Sequence, residues 1–161
     1  MHMRVAIGCD EAAFGLKNIL IKEIERIGHT PVDVGVYDEK PVLYPDIAKL
    51  VVELVASGDC DRGVLLCGTG IGMAITANKY PGIRAALAHD TYSAERAVKS
   101  NNAQILTMGA RVIGPELAKA ILKVFLESIF IDGPSTPKVQ RIAELERSFR
   151  EKANEIDKGG R

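Results

Sequence analysis

The sequence has no excess of charge of either sign. Lys plus Arg and Asp plus Glu both number 21 among 161 residues, so the formal net charge is zero, and no global field is present to hold nucleic acid or an anionic membrane. A local basic cluster could still bind one phosphate. No apolar run approaches the roughly 20 residues that cross a bilayer, and the amino terminus has no basic stretch leading into an apolar one. The expectation is a cytoplasmic protein whose partners include neither nucleic acid nor membrane. Cysteine is scarce: Cys9, Cys60 and Cys67 lack Cys-x-x-Cys spacing and a companion His cluster, which argues against a disulfide framework and a structural zinc site. Tryptophan is absent, aromatics make up 5%, and there is no internal repeat or low-complexity tract.

What remains, 47% hydrophobic and 26% charged, is the make-up of a globular chain. At roughly one domain per 150 residues the length fits a single domain over 1–161, with a disordered tail from about Asp157. Met1-His2-Met3 puts a second methionine ahead of the first strand, and His2 stays outside the functional argument. Arg4 to Cys9 is short, apolar and β-rich, and Leu16, Ile19, Leu20, Ile24 and Ile27 follow at helical spacing up to Gly28. Pro31 to Val36 is a second strand. Ile47, Leu50, Val51, Leu54 and Val55 then mark an amphipathic helix that stops at Gly58. Gly63 to Cys67, Ile83 to Ala88 and Gln104 to Met108 are further strands. Between and after them lie a short helix broken at Tyr80-Pro81-Gly82, a helix capped by Asp90 or Thr91, and one opened by Gly114-Pro115-Glu116 with Leu117, Ile121, Leu122 and Phe125 on its buried face. Thr136-Pro137 opens the last helix, with Val139, Ile142, Leu145 and Phe149 on one side.

Strands that are apolar almost throughout, separated by helices, imply a sheet covered on both faces. The fold class is therefore α/β, a doubly wound, Rossmann-like three-layer sandwich with a five-stranded parallel sheet. Ligands of such sheets sit beyond the carboxyl ends of the strands, here Cys9-Asp10-Glu11, Cys67 to Gly72, His89-Asp90 and Gly109 to Arg111.

Cys67-Gly68-Thr69-Gly70-Ile71-Gly72 joins a strand to a helix, so its N–H groups can converge with the positive end of the helix dipole into an anion cradle. Three glycines in five residues make sense where the backbone needs positive φ or must approach a ligand closely. The alternative is a tight turn that simply packs well. The spacing is Gly-x-Gly-x-Gly rather than the Gly-x-Gly-x-x-Gly of dinucleotide sites, and no cofactor is expected. Cys67 directly precedes the turn, where thiolate character is favoured and a thiol can act as base or nucleophile. Its bland reading is a small apolar residue ending a buried strand.

Cys67 to Gly72, Ala77-Asn78-Lys79, Pro81 to Ala85, Tyr92-Ser93-Ala94, Asn101 and Gly109 to Gly114 together resemble the type B ribose-5-phosphate isomerases and their galactose-6-phosphate isomerase relatives, over roughly residues 4 to 145. The resemblance implies metal-free aldose–ketose isomerisation of a sugar phosphate in a homodimer, with or without pairing into a tetramer. It makes Cys67 the base, with Thr69 assisting. Gly68, Gly70 and Gly72 would offer amides to a cis-enediolate and Asn101 a side-chain donor. Asp10 would orient sugar hydroxyls, and Arg111 would lie near the phosphate. Lys138 aligns with a phosphate arginine that the family brings from the second subunit, so the site is expected at the subunit interface.

Four positions depart from that pattern. Ser100 replaces a ring-opening histidine, Glu11 a phosphate-contacting histidine, Pro134 an arginine and Lys138 an arginine. Serine has no pKa near neutrality and cannot shuttle a ring-opening proton as imidazole does. An aldose of four carbons phosphorylated on O4 cannot close a five-membered ring, so it needs no such group. The Ser100 to Gln104 segment also resembles the subgroup acting on tetrulose 4-phosphates. The favoured pair is D-erythrulose 4-phosphate and D-erythrose 4-phosphate, with the D-ribose 5-phosphate pair as the alternative and a non-catalytic sugar-phosphate sensor as a reading from another class. His89, at a strand's carboxyl end, either touches substrate or supports the next helix. Arg141, one turn from Lys138, either reaches a phosphate or belongs to a mixed exposed face with Arg147, Arg150, Lys152 and nearby glutamates.

Overall fold

The computed structural model describes residues 1–159, with side chains to Ile156. In chain order the elements are β1 (Arg4–Cys9), a 3-10 turn (Glu11–Ala13), α1 (Phe14–Arg26), β2 (Thr30–Asp33), α2 (Tyr44–Ser57), β3 (Arg62–Cys67), α3 (Ile71–Ala77), β4 (Ala85–Leu87), α4 (Thr91–Lys99), β5 (Ile105–Gly109), α5 (Pro115–Glu127) and α6 (Thr136–Gly159). The strands form one parallel sheet in the order β2-β1-β3-β5-β4. Winding runs outward in both directions from β1 and β3, and β5 returns to lie between β3 and β4.

Two apolar layers enclose the sheet. Val5, Ile7, Val64, Leu66, Leu106 and Met108 point to the side of α1, α4 and α5. Ala6, Leu65, Cys67 and Ile105 point to the side of α2 and α3. Because both faces are covered, the three inner strands show no polar alternation. On the α2 side two strand positions have no side chain at all. A Cβ on Gly8 would stand 2.7 Å from Ile47 Cγ2, and one on Gly63 would stand 2.8 Å from Val51 Cγ1, so both glycines let α2 approach the sheet closely.

Terminal signals act where expected. Gly58 ends α2 in the left-handed region, Asp90 caps α4 by accepting from the Ser93 N–H, and Pro115 stands in the first turn of α5. Strand limits differ at the edges. The second strand is regular to Asp33 rather than Val36, although its backbone bonds to β1 run on through the Val34 N–H on the Ile7 carbonyl at 3.0 Å and the Val36 N–H on the Cys9 carbonyl at 3.1 Å. The fourth begins at Ala85 rather than Ile83, because the Arg84 N–H is taken by the Gln104 side chain at 2.8 Å. Leu50 and Leu117, read as inward positions, are exposed. The buried stripes of α2 and α5 centre instead on Ala48, Val51 and Val52 and on Ala118, Ile121, Leu122 and Phe125. On α6, Ile142, Leu145 and Phe149 remain largely uncovered in one chain. The disordered tail read from about Asp157 meets a helix that continues to Gly159, and the rest of it lies outside the described residues. No helix among the described residues is long and apolar enough to cross a membrane.

Candidate active site

The loops at the carboxyl edge are tied to one another by backbone hydrogen bonds. The Asp10 N–H donates to the Leu66 carbonyl at 3.2 Å, Ala110 to Cys67 at 2.9 Å and Arg111 to Gly68 at 3.0 Å, so the glycine turn is clamped by the ends of β1 and β5. Close approach explains two of the glycines. A Cβ on Gly109 would meet Thr69 Cα at 2.6 Å, and one on Gly70, whose φ is +77°, would meet Leu87 Cδ1 at 2.7 Å and the Met108 carbonyl carbon at 2.8 Å.

Cys67 faces the α2 and α3 side with 5% of its surface exposed. The Gly70 N–H donates to its sulfur at 3.0 Å. That amide, expected among the donors to an enediolate, is therefore spent on the thiol. The exposed Thr69 accepts from the Ile71 N–H at 3.3 Å through Oγ1, which leaves its hydroxyl proton free to donate. Tyr44, a residue that sequence reasoning missed, lies against Gly72 so closely that a Cβ there would stand 2.5 Å from its hydroxyl oxygen. Its only sequence signal is an aromatic residue beside Pro45 at the start of α2.

Asp10 caps the 3-10 turn, accepting from the Ala12 N–H at 3.1 Å. Burial raises its pKa above the ordinary carboxylate value and the charge of Glu11 adds to this, while the Ala12 and Ala13 amides and Arg111 oppose it. Glu11 accepts from the Val42 N–H at 3.2 Å. The Arg111 side chain lies across Gly68, 3.4 to 3.6 Å from where a Cβ would be. His89 accepts the Gly109 N–H at 2.9 Å through Nε2, so it supports the end of β5 and not the helix that follows it. The other thiols are chemically quiet. Burial pushes the Cys9 pKa up to about 11 and raises that of Cys60. Cys60 is buried as well.

The remaining candidates stand at the opposite edge. Ser100 ends α4, and the Asn101 side-chain amide donates to the Arg96 carbonyl at 3.2 Å. The following segment is held there by the Ala103 N–H on the Ala97 carbonyl and by Arg84 Nε on the Asn102 carbonyl. Since α4 runs from the carboxyl edge to the amino edge and β5 runs back, one chain separates Asn101 from Cys67 by about 15 Å. The helix carrying Lys138 and Arg141 begins after α5 has returned to the amino edge, and its Glu146 takes the Gly82 N–H ahead of β4. Lys138 is exposed, and Arg141 pairs with Glu144 at 3.0 Å, as Arg150 does with Glu146 at 3.7 Å. A single chain thus assembles Cys67, Gly68, Thr69, Gly70, Gly72, Asp10, Glu11, Arg111 and His89, and leaves Ser100, Asn101, Lys138 and Arg141 beyond the far edge. Among the described residues no group of three or more His, Cys, Asp or Glu side chains is placed to hold a metal ion.

A doubly wound sheet whose carboxyl edge carries a thiol inside a glycine turn, with an aspartate and an arginine beside it, is the framework of a sugar phosphate isomerase. The chain belongs to the Ribose/Galactose Isomerase family, which it matches over residues 5–142, and it is an aldose–ketose isomerase. It is 52% identical to the Ribose-5-P isomerase B of Listeria innocua, across 92% of this chain and 100% of the relative. It is also 52% identical to the D-erythrulose-4-phosphate isomerase of Pectobacterium atrosepticum, across 89% and 95%. The solved Ribose-5-Phosphate Isomerase B of Clostridium thermocellum superposes with a TM-score of 0.89 at 39% identity, covering 91% of this chain and 99% of that one. Membership in this family sets aside the non-catalytic sensor.

Proposed function

We propose that the chain interconverts D-erythrose 4-phosphate and D-erythrulose 4-phosphate in the cytoplasm, with Cys67 as the base and each working site shared between two copies. The observation that carries this reading is the Gly70 N–H on the Cys67 sulfur, which holds a reactive atom at the mouth of a turn rich in amides. The thiolate takes the proton from C2 of the aldose. The electron pair left behind forms the C1–C2 double bond as the carbonyl electrons move to O1, and the cis-enediolate results. Returning that proton to C1 while the O2 proton passes to O1 completes the ketose. Gly68 and Gly72 amides, and Asn101 from a second copy, serve the enediolate oxygens. The free proton of Thr69 assists, Asp10 orients a hydroxyl, and Arg111 with the second copy's Lys138 receives the phosphate.

Placement supports the sharing between copies. Asn101 and Lys138 reach the carboxyl edge of a sheet only if it belongs to another chain, and a two-fold dimer supplies two such sites. Exposed Ile71 and Ile75 on α3, with Leu43 and Leu87 nearby on the same edge, offer apolar surface for that contact. The four-carbon substrate is supported by Ser100, which has no imidazole to open a ring, and by His89, whose Nε2 is taken up by the Gly109 N–H. Similarity to a ribose-5-phosphate isomerase at 52% identity supports the D-ribose 5-phosphate pair as the second reading. Measuring kcat/KM with both pairs decides between them: the tetrose pair is expected to win, and a clear win for ribose 5-phosphate would overturn the ring-opening argument.

A further inference from the structure

The geometry points to Glu11 as a positioning residue, the latch of a strap that seats Tyr44 against the glycine turn. Residues 38–42 lie between β2 and α2, and every one of them is exposed. Among the described residues they reach the rest of the protein through a single hydrogen bond, from the Val42 N–H to Glu11 Oε2 at 3.2 Å. The other polar contacts of this stretch, the Lys40 N–H and Lys40 Nζ on the Asp38 carboxylate, stay within it. Apolar anchoring is slight, since Leu43 is 74% exposed and Val42 37%. Leu43 then stands at the α2 N-cap position without a side-chain cap. Tyr44 comes next, with its ring against Gly72 on the turn that carries Cys67. One carboxylate therefore links the end of β1 to the aromatic wall of the site.

Glu11 is poorly suited to touch the phosphate of a sugar phosphate. Its negative charge adds to that of Asp10, and a dianion approaching the pair is repelled. The carboxylate instead spends one oxygen on a backbone amide, a charge-assisted bond of the stronger kind. With the latch made, the strap holds Tyr44 over the Cys67 turn, and with it broken the strap is tied only at its two ends. The effect on turnover rests on the proposed substrate and site, whereas the behaviour of the strap does not.

The test is hydrogen–deuterium exchange of the whole protein, read on peptides covering 38–44, together with KM and kcat for the tetrose and pentose phosphates. Glu11→Ala is expected to speed exchange of the strap amides about tenfold and to raise KM about threefold or more with a smaller change in kcat. Glu11→Gln keeps an oxygen that accepts the Val42 bond, so it is expected to stay within about twofold of the parent exchange rate and to recover most of the lost KM. Unchanged exchange in Glu11→Ala would overturn the latch, and so would faster exchange with an unaltered KM. Equal losses in Glu11→Ala and Glu11→Gln would also overturn it, by assigning the charge a direct part in substrate binding. A parent protein that turns over neither sugar phosphate defeats the proposed function while leaving the exchange comparison intact.

Discussion

At the scale of single residues, two thiols that end neighbouring strands have opposite fates. Cys9 packs into the α1, α4 and α5 layer with no exposed surface, and with a pKa of about 11 only about one molecule in ten thousand carries its thiolate at pH 7. Cys67 keeps a small opening and an N–H on its sulfur. Substoichiometric iodoacetamide at pH 7 is expected to mark Cys67 first, as read by mass spectrometry of the digest, and preferential marking of Cys9 would contradict the assignment. Cys67→Ala is expected to lower kcat/KM by about 10²- to 10⁴-fold, the usual worth of a positioned base, with circular dichroism unchanged. Asp10 carries a pH signature. Its folded pKa is raised, so its contribution to folding is fully present below the unfolded pKa and is lost as pH rises through the folded value. Asp10→Asn should therefore raise Tm relative to the parent at neutral pH. The difference should vanish in acid below the ordinary value of 3.8, where both carboxyls are protonated.

At the scale of elements, the join between α1 and the end of β2 is an ion pair whose lysine is out of water and whose aspartate is 30% exposed. Lys17 Nζ is buried and reaches both Asp33 oxygens, at 2.7 and 2.8 Å, and the Val36 carbonyl at 2.7 Å. Phe14 and Tyr37 rings flank it. Asp33→Asn leaves the ammonium buried without its counter-charge and is expected to cost about 3 kcal/mol in urea unfolding; a loss under about 1 kcal/mol would mean that water reaches Lys17. The order of strands and helices was legible because three different rules agreed at each junction. Continuous apolar strands marked a covered sheet, 3.6-residue spacing marked α1, α2 and α5, and Gly58, Asp90 and Pro115 marked ends. The return of β5 between β3 and β4 was not legible, since strand neighbours depend on how crossovers pack rather than on any local pattern. In the site, the Cys67 turn announced itself by composition. Tyr44 did not, because its role comes from the glycine it lies against, and neither did the use of the Gly70 amide, which depends on how the turn folds back on the sulfur.

At the scale of the whole molecule, the separation of the candidate residues sets the number of chains a working site needs. Helices in a parallel sheet return from the carboxyl edge to the amino edge, so a residue at the end of α4 cannot join one at the end of β3 within a chain. Cys67 and Asn101 are placed in that way, and the consequence can be tested by mixing. On the proposed two-chain site, Cys67→Ala and Asn101→Ala are each expected to be nearly inactive when purified alone. After joint denaturation and refolding at equal amounts, about half the dimers are hybrids, and each hybrid has one site with both residues altered and one with both intact. Activity should therefore return to about a quarter of the parent value, with no recovery when the two proteins are mixed without exchange of subunits. If the site lay within one chain, every hybrid site would still carry one defect and no activity would return. The same mixing with Lys138→Ala in place of Asn101→Ala asks whether the phosphate seat also crosses between copies, and recovery there would put the exposed lysine of α6 beside the Arg111 of the other chain.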